Sequence, residues 1–171
     1  QFSHLWEMEH LGMNQDPPLT HGFKVGLGTI SVLALWEKVL EHDFATLDVD
    51  AAVAEWPSAE EMEAKVRANF TGDMLEPAVK QTMDKYLDAD ALRERLELVK
   101  SKWPTIQERC RAQVMPATRV EDIIKAVGGI YHPAQIGLTR ERFHDTYYRC
   151  QMIRSRYTLL DLLIETGTIS D

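Results

Sequence analysis

The stretch Phe2-Ser3-His4-Leu5-Trp6-Glu7-Met8-Glu9-His10, followed by Leu19-Thr20-His21-Gly22-Phe23-Lys24-Val25-Gly26-Leu27-Gly28-Thr29, decides how the chain is read. The first run has helical spacing and no breaker, and the polar, proline-containing segment from Asn14 to Pro18 then reverses the chain. Thr20 suits an N-cap, because its hydroxyl can accept from an otherwise orphaned amide of the next turn. A second helix is therefore expected to begin at His21 and to lie antiparallel to the one that carries His4. Two imidazoles on adjacent antiparallel helices can converge on one cation, provided each has a hydrogen-bonding partner that fixes its tautomer.

On spacing alone two readings stand. A structural zinc site presents four Cys or His ligands at short intervals, whereas only two histidines converge here. The competing reading makes His4 a satisfied residue at a helix interface and His21 a polar residue at a helix start. Glu7, one turn from His4, can orient an imidazole or be a surface carboxylate. His10 is six residues after His4, which on a continuous helix displaces it by about 9 Å along the axis. At that distance it is placed to contact a substrate or a relay rather than to be a third ligand.

Two further segments matter for what the chain resembles: Tyr131-His132-Pro133-Ala134-Gln135-Ile136-Gly137-Leu138 and Arg154-Ser155-Arg156-Tyr157-Thr158-Leu159-Leu160-Asp161-Leu162. Together with residues 1 to 8 and 20 to 29 they resemble the bacterial type of sn-glycerol-1-phosphate dehydrogenase. That family belongs to the superfamily of glycerol dehydrogenases, iron-containing alcohol dehydrogenases and dehydroquinate synthases. The resemblance runs from end to end and implies the carboxy-terminal helical half of a two-domain enzyme.

In that superfamily a divalent metal is held by an aspartate of the amino-terminal nucleotide-binding domain and by two histidines of the helical domain. The matching positions are His4 and His21. The aspartate has no counterpart, because the nucleotide-binding half is absent from this sequence. The resemblance implies zinc first, with nickel or iron as alternatives, and NAD or NADP held mainly by the missing domain. The implied reaction interconverts dihydroxyacetone phosphate and glycerol 1-phosphate, a step of phospholipid metabolism, with His10, Lys24 and His132 as candidate substrate contacts. A dehydroquinate synthase would share the two histidines, but its His-Gly segment usually continues with an acidic residue where this chain has Phe23-Lys24. A related polyol dehydrogenase and a non-catalytic helical interaction domain are the remaining alternatives.

The bounds agree with such a domain. At 171 residues the chain can bury a sizeable core as a single helical domain, and its formal net charge of -8 argues against a generic nucleic-acid surface. No apolar run approaches the roughly 20 residues of a membrane span, and no signal-peptide pattern is visible. Cys110 and Cys150 lack CxxC spacing and are expected as reduced thiols, which fits a cytoplasmic protein. A homo-oligomer is compatible with all of this. The chain opens with Gln1 inside a motif and is expected to be a piece of a longer protein. On its own it is expected to show no turnover and to hold a metal weakly.

Along the rest of the sequence the helix from His21 is expected to reach about His42, with Gly26 and Gly28 allowing close packing and Gly22 beside the metal or in packing. Asp48 is expected to cap a short helix, Ser58 with Glu61 to form a capping box, and Asp73 to Tyr86 and Ala89 to Lys102 to be helical. Pro104 is expected to begin another helix, Thr118 to cap one ending at Gly128-Gly129, and Thr139 to cap one reaching about Arg156. A final helix runs from about Tyr157 to Gly167. Asp43 to Pro57 reads as a loosely held excursion. His144 and the cluster Arg149, Arg154, Arg156 read as basic surface or as a phosphate contact. No segment alternates with period two, so the fold class is all-α with eight to ten helices.

Overall fold

The computed structural model describes residues 1–169. Among them there is no strand, and nine α-helices account for the fold: α1 (Phe2–Met8), α2 (His21–Val39), α3 (Val49–Ala54), α4 (Ala59–Asn69), α5 (Leu75–Met83), α6 (Ala89–Gln113), α7 (Ala117–Ala126), α8 (Arg140–Arg149) and α9 (Leu159–Glu165). Three short 3-10 turns, at Phe44–Thr46, Gly72–Met74 and Pro133–Ile136, complete the secondary structure. The chain divides into two compact units. The first is formed by Gln1–Glu41 and Gln113–Cys150, the second by His42–Ala112 and the chain from Gln151 on. No described helix is long and apolar enough to cross a membrane.

In the first unit, α1 is anchored by the face that carries Phe2, Leu5, Trp6 and Glu9. Phe2, Leu5 and Trp6 are buried, and Trp6 Nε1 donates to Thr146 Oγ1 of α8 at 3.1 Å. Phe2 meets the Trp6 ring edge-on at 5.7 Å and the Tyr147 ring at 4.8 Å, the offset geometry that aromatic quadrupoles favour. Glu9 accepts from Arg142 at 3.2 Å and pairs with Arg149, so both arginines tie α8 to the end of α1. Burial pushes the Tyr147 hydroxyl of this cluster up to about 12.

Helix α2 starts where the sequence expects it, with the Thr20 hydroxyl accepting from the Phe23 amide. A Cβ on Gly28 would lie 3.1 Å from Phe2 Cβ, and one on Gly26 would lie 3.2 Å from Ile124 Cδ1 of α7. These two glycines therefore let α1 and α7 approach α2 closely. Gly22 has no such neighbour, its nearest being Thr20 Oγ1 at 3.9 Å.

The second unit is built round Val49, Leu92 and Leu96. The expected loose excursion from Asp43 to Pro57 is instead held in place: Phe44 and Val49 are buried, and Phe44 meets Trp103 edge-on at 4.6 Å. Trp103 Nε1 also donates to the His42 carbonyl at 3.0 Å. Asp48 caps α3 through the Ala51 amide, and Ser58 with Glu61 forms both bonds of a capping box. Two buried carboxylates of α9 complete this unit. Asp161 accepts from Lys85 Nζ at 2.5 Å and from the Thr158 amide at 2.7 Å. Glu165 accepts from Arg95 at 2.6 Å and from the Tyr157 hydroxyl at 2.8 Å.

Some expected boundaries move. Pro104 does not begin a helix but lies inside α6, which runs unbroken from Ala89 to Gln113. The neighbouring Trp103, buried with its indole bonded to His42, supplies tertiary packing that overrides the local penalty of a helical proline. Thr118 is not the cap of α7. That helix starts at Ala117, whose amide donates to Glu37 of α2 at 2.9 Å, so the acceptor comes from another helix. Helix α8 ends at Arg149 rather than near Arg156. Cys110 and Cys150 are not bridged to one another.

Candidate metal and substrate site

The first unit brings together the two segments singled out in the sequence. Phe2 faces Gly28, and Glu7 faces His21 and Lys24, so residue numbers rise along α1 as they fall along α2. The helices are antiparallel, as expected. With Phe2 level with Gly28, His4 is level with about Gly26, which is about five residues, or roughly 7–8 Å along the axis, from His21. Both histidines are exposed.

Glu7 is the meeting point. Its Oε1 lies 3.4 Å from His21 Nδ1 and 3.1 Å from Lys24 Nζ. Lys24 is only 2 % exposed, while the Glu7 side chain is 41 % exposed. The Lys24 ammonium, with His21 adding to it, holds the Glu7 carboxyl below the usual carboxylate range against the opposing effect of desolvation. The sequence pointed to Glu7 as able to orient an imidazole by its spacing from His4. The structure joins it to His21 on the facing helix. Nothing in the pattern signalled that Lys24 would be buried, since lysine is among the residues least often fully enclosed.

The other candidate residues are placed differently. Helix α1 ends at Met8, so the displacement expected for His10 on a continuous helix does not apply. His10 adopts a left-handed conformation with φ 56° and sets Nδ1 3.1 Å from Met13 Sδ. His132 caps the turn Pro133–Ile136, its Nδ1 accepting from the Ala134 amide at 3.2 Å. Lys24 directs its ammonium at Glu7. Of the arginines considered for a phosphate, Arg149 is engaged by Glu9, and Arg154 donates to the Ile153 carbonyl.

An open groove of about 640 Å³ runs beside the start of α1 and the middle of α2. Phe2, Val25, Val32, Leu33, Trp36 and Met115 supply its apolar walls, and no charged side chain lines it. Ser3, adjacent to His4, is part of the rim.

His4 and His21 are the two imidazoles that α1 and α2 could offer to a cation. Two exposed imidazoles are borderline-soft nitrogen donors of the kind zinc, nickel and iron accept. No group of three or more His, Cys, Asp or Glu able to hold a metal occurs among the described residues. Comparison with family models, with curated proteins and with solved structures gives no match to this chain.

Proposed function

We propose that the chain is the metal- and substrate-binding helical half of an NAD(P)-dependent sn-glycerol-1-phosphate dehydrogenase. The observation that supports this reading is the antiparallel pairing of α1 and α2, with His4 and His21 on the two helices roughly 7–8 Å apart along the axis and Glu7 against the second imidazole. The resemblance of both motifs to that family supplies the substrate and the reaction.

Reduction of dihydroxyacetone phosphate needs a hydride donor over the carbonyl carbon and positive charge at the oxygen, where negative charge develops. A divalent cation, if held by His4 and His21, would supply that charge as a Lewis acid. In the protein itself, His4 and His21 hold and orient their ring nitrogens, Glu7 braces His21, and Lys24 neutralises Glu7. His10 and His132 are candidate substrate contacts that the resemblance implies. The apolar, uncharged groove beside Ser3 is the face that a nucleotide-binding half would cover, closing a cleft of the kind in which cofactor and substrate meet.

The test is to assay the protein in which this chain follows its nucleotide-binding half for dihydroxyacetone phosphate reduction with NADH and NADPH. Reduction that is abolished by a chelator and restored by zinc, nickel or iron is the expected result. Absence of reduction with either cofactor, in a folded and metal-loaded preparation, would refute the assignment.

A further inference from the structure

We propose that His10 and Met13 form a binding site for a soft monovalent cation of the copper(I) class, held between the imidazole Nδ1 and the thioether Sδ. The inference goes beyond the dehydrogenase reading and does not rest on it. Nδ1 of His10 lies 3.1 Å from Sδ of Met13. Both side chains are open to solvent, Met13 with 54 % of its surface exposed.

The backbone after α1 fixes this pair. The His10 amide donates to the Glu7 carbonyl at 3.0 Å and the Leu11 amide to the Trp6 carbonyl at 2.8 Å. In this way of closing a helix the first residue past the cap is left-handed and is usually glycine. Here it is His10, with φ 56°, although a side chain is unfavourable in that conformation. A histidine held where glycine is the easier residue is the kind of local strain that collects at functional positions. The Met13 amide then closes a second turn on the His10 carbonyl at 3.2 Å, with Gly12 at φ 70° in the third position, where such turns require it. His10 and Met13 are thus the first and fourth residues of one turn. Leu11 between them is buried. The Gly12 carbonyl accepts from the Leu19 amide at 3.0 Å, and a Cβ on Gly12 would lie 2.5 Å from Leu19 Cβ, so the turn is tied to the chain that returns to α2.

The donor types choose the cation. Imidazole suits several metals, whereas a thioether is a soft donor that selects copper(I) over hard ions. Nitrogen and sulfur donors bind an ion of this size at about 2.0 and 2.3 Å, which at a trigonal angle sets the two atoms about 3.7 Å apart. The present separation has to open by roughly half an ångström, which rotation of two exposed side chains supplies. The cation takes the place between nitrogen and sulfur, and the neutral ring carries its proton on Nε2. This donor set differs from that of His4 and His21, which offers nitrogen alone.

The experiment is titration of the chain with silver(I), which shares the soft, low-coordinate preference and keeps its oxidation state in air. Methionine methyl and histidine nitrogen signals are followed by NMR in chloride-free buffer. A Cys110→Ser background removes the partly exposed thiol, and Cys150 is buried. Three proteins are compared on that background: no further change, Met13→Leu and His10→Gly. One equivalent of silver(I) is expected to move the Met13 methyl and the His10 Nδ1 signals in parallel and to leave the other methionines in place. Copper(I) kept reduced without oxygen is expected to do the same, and zinc to leave the Met13 methyl unmoved. Met13→Leu is expected to weaken the His10 response at least tenfold, and His10→Gly to weaken the Met13 response equally. His10→Gly is also expected to raise the melting temperature, because glycine relieves the left-handed backbone, so its loss of binding is not a loss of fold. A Met13 shift no larger than that of the other methionines would overturn the proposal. So would a response of either residue that is unchanged when its partner is replaced, or zinc that moves Met13 as silver does.

Discussion

Lys24 Nζ lies 3.1 Å from Glu7 Oε1, joining a residue that is almost fully enclosed to one that is largely open. This asymmetry sets the order of the corresponding variants. Glu7→Ala leaves an ammonium in the interior without its carboxylate, whereas Lys24→Met replaces the ammonium by an apolar chain and leaves a carboxylate that water can solvate. Glu7→Ala is therefore expected to lower the melting temperature more than Lys24→Met, as followed by circular dichroism. Equal losses, or the reverse order, would show that the pair does not hold α1 on α2.

The glycines of α2 separate packing from ligand access. Gly28→Ala drives a methyl group to 3.1 Å from Phe2 Cβ. Overpacking of this kind destabilises by about 1–3 kcal/mol, partly offset by the better helix propensity of alanine. A net loss of about 1 kcal/mol is expected in urea unfolding. Gly22→Ala meets nothing closer than 3.9 Å and is expected to be neutral or to gain a few tenths of a kcal/mol. A substantial loss from Gly22→Ala would mean that another group occupies that space.

Pro104 in the middle of α6 removes one helical hydrogen bond at an exposed position. Pro104→Ala restores the donor and relieves the clash with the preceding turn, while giving the unfolded chain more freedom. A gain of about 1–2 kcal/mol is expected, read as a higher urea midpoint with unchanged slope. A lower midpoint would show that the proline shapes the helix for a packing contact.

Glu165 and Tyr157 give the second unit a stability that declines with rising pH. Burial pushes the Glu165 carboxyl up, against the opposing hydrogen bonds from Tyr157 and Arg95. A raised folded pKa means that its contribution is complete below the ordinary glutamate value of about 4.3 and is lost as pH rises through the folded value. Burial, reinforced by the Glu165 charge, pushes the Tyr157 hydroxyl up as well. Its contribution is complete below the ordinary tyrosine value of about 10 and lost above it. Glu7 and Glu76, held low by Lys24 and Arg67, act in the opposite sense in the acidic window. Glu165 is therefore read from the difference between the wild-type and Glu165→Gln urea midpoints, which is expected to fall as pH rises through that window, while the wild-type midpoint falls in the alkaline one. A difference that grows in favour of the wild type with rising pH would contradict the direction assigned to Glu165.

What could be read from the sequence, and what could not, divides by the range of the interaction. Thr20, Asp48, Ser58 and Thr139 bond to amides three residues on, so their caps are written locally. The unbroken course of α6 through Pro104 is not, because Trp103 takes its acceptor from His42, 61 residues away. The start of α7 depends on Glu37, 80 residues from Ala117. The burial of Phe44 and Val49 likewise depends on α6. At the candidate site, the helix start at His21 and the antiparallel return of the chain were legible from Thr20 and the proline turn. The meeting of Glu7 with His21 and Lys24 was not, since it depends on the register between α1 and α2. The boundaries between the two units, after Glu41, Ala112 and Cys150, fall within two residues of the ends of α2, α6 and α8.

The central proposal, that His4 and His21 together hold a catalytic divalent cation, is tested most directly by the metal content of a protein in which the proposed nucleotide-binding half precedes this chain. The wild type is compared with His21→Ala and His4→Ala, with circular dichroism and dihydroxyacetone phosphate reduction measured on the same preparations. His21 is exposed at a helix start, so its removal opens little core volume and the helical fold is expected to persist. Loss of stoichiometric metal and of nearly all turnover in both variants, with helical content unchanged, is the expected result. A His21→Ala protein that retains its metal and a near-normal rate would contradict the account.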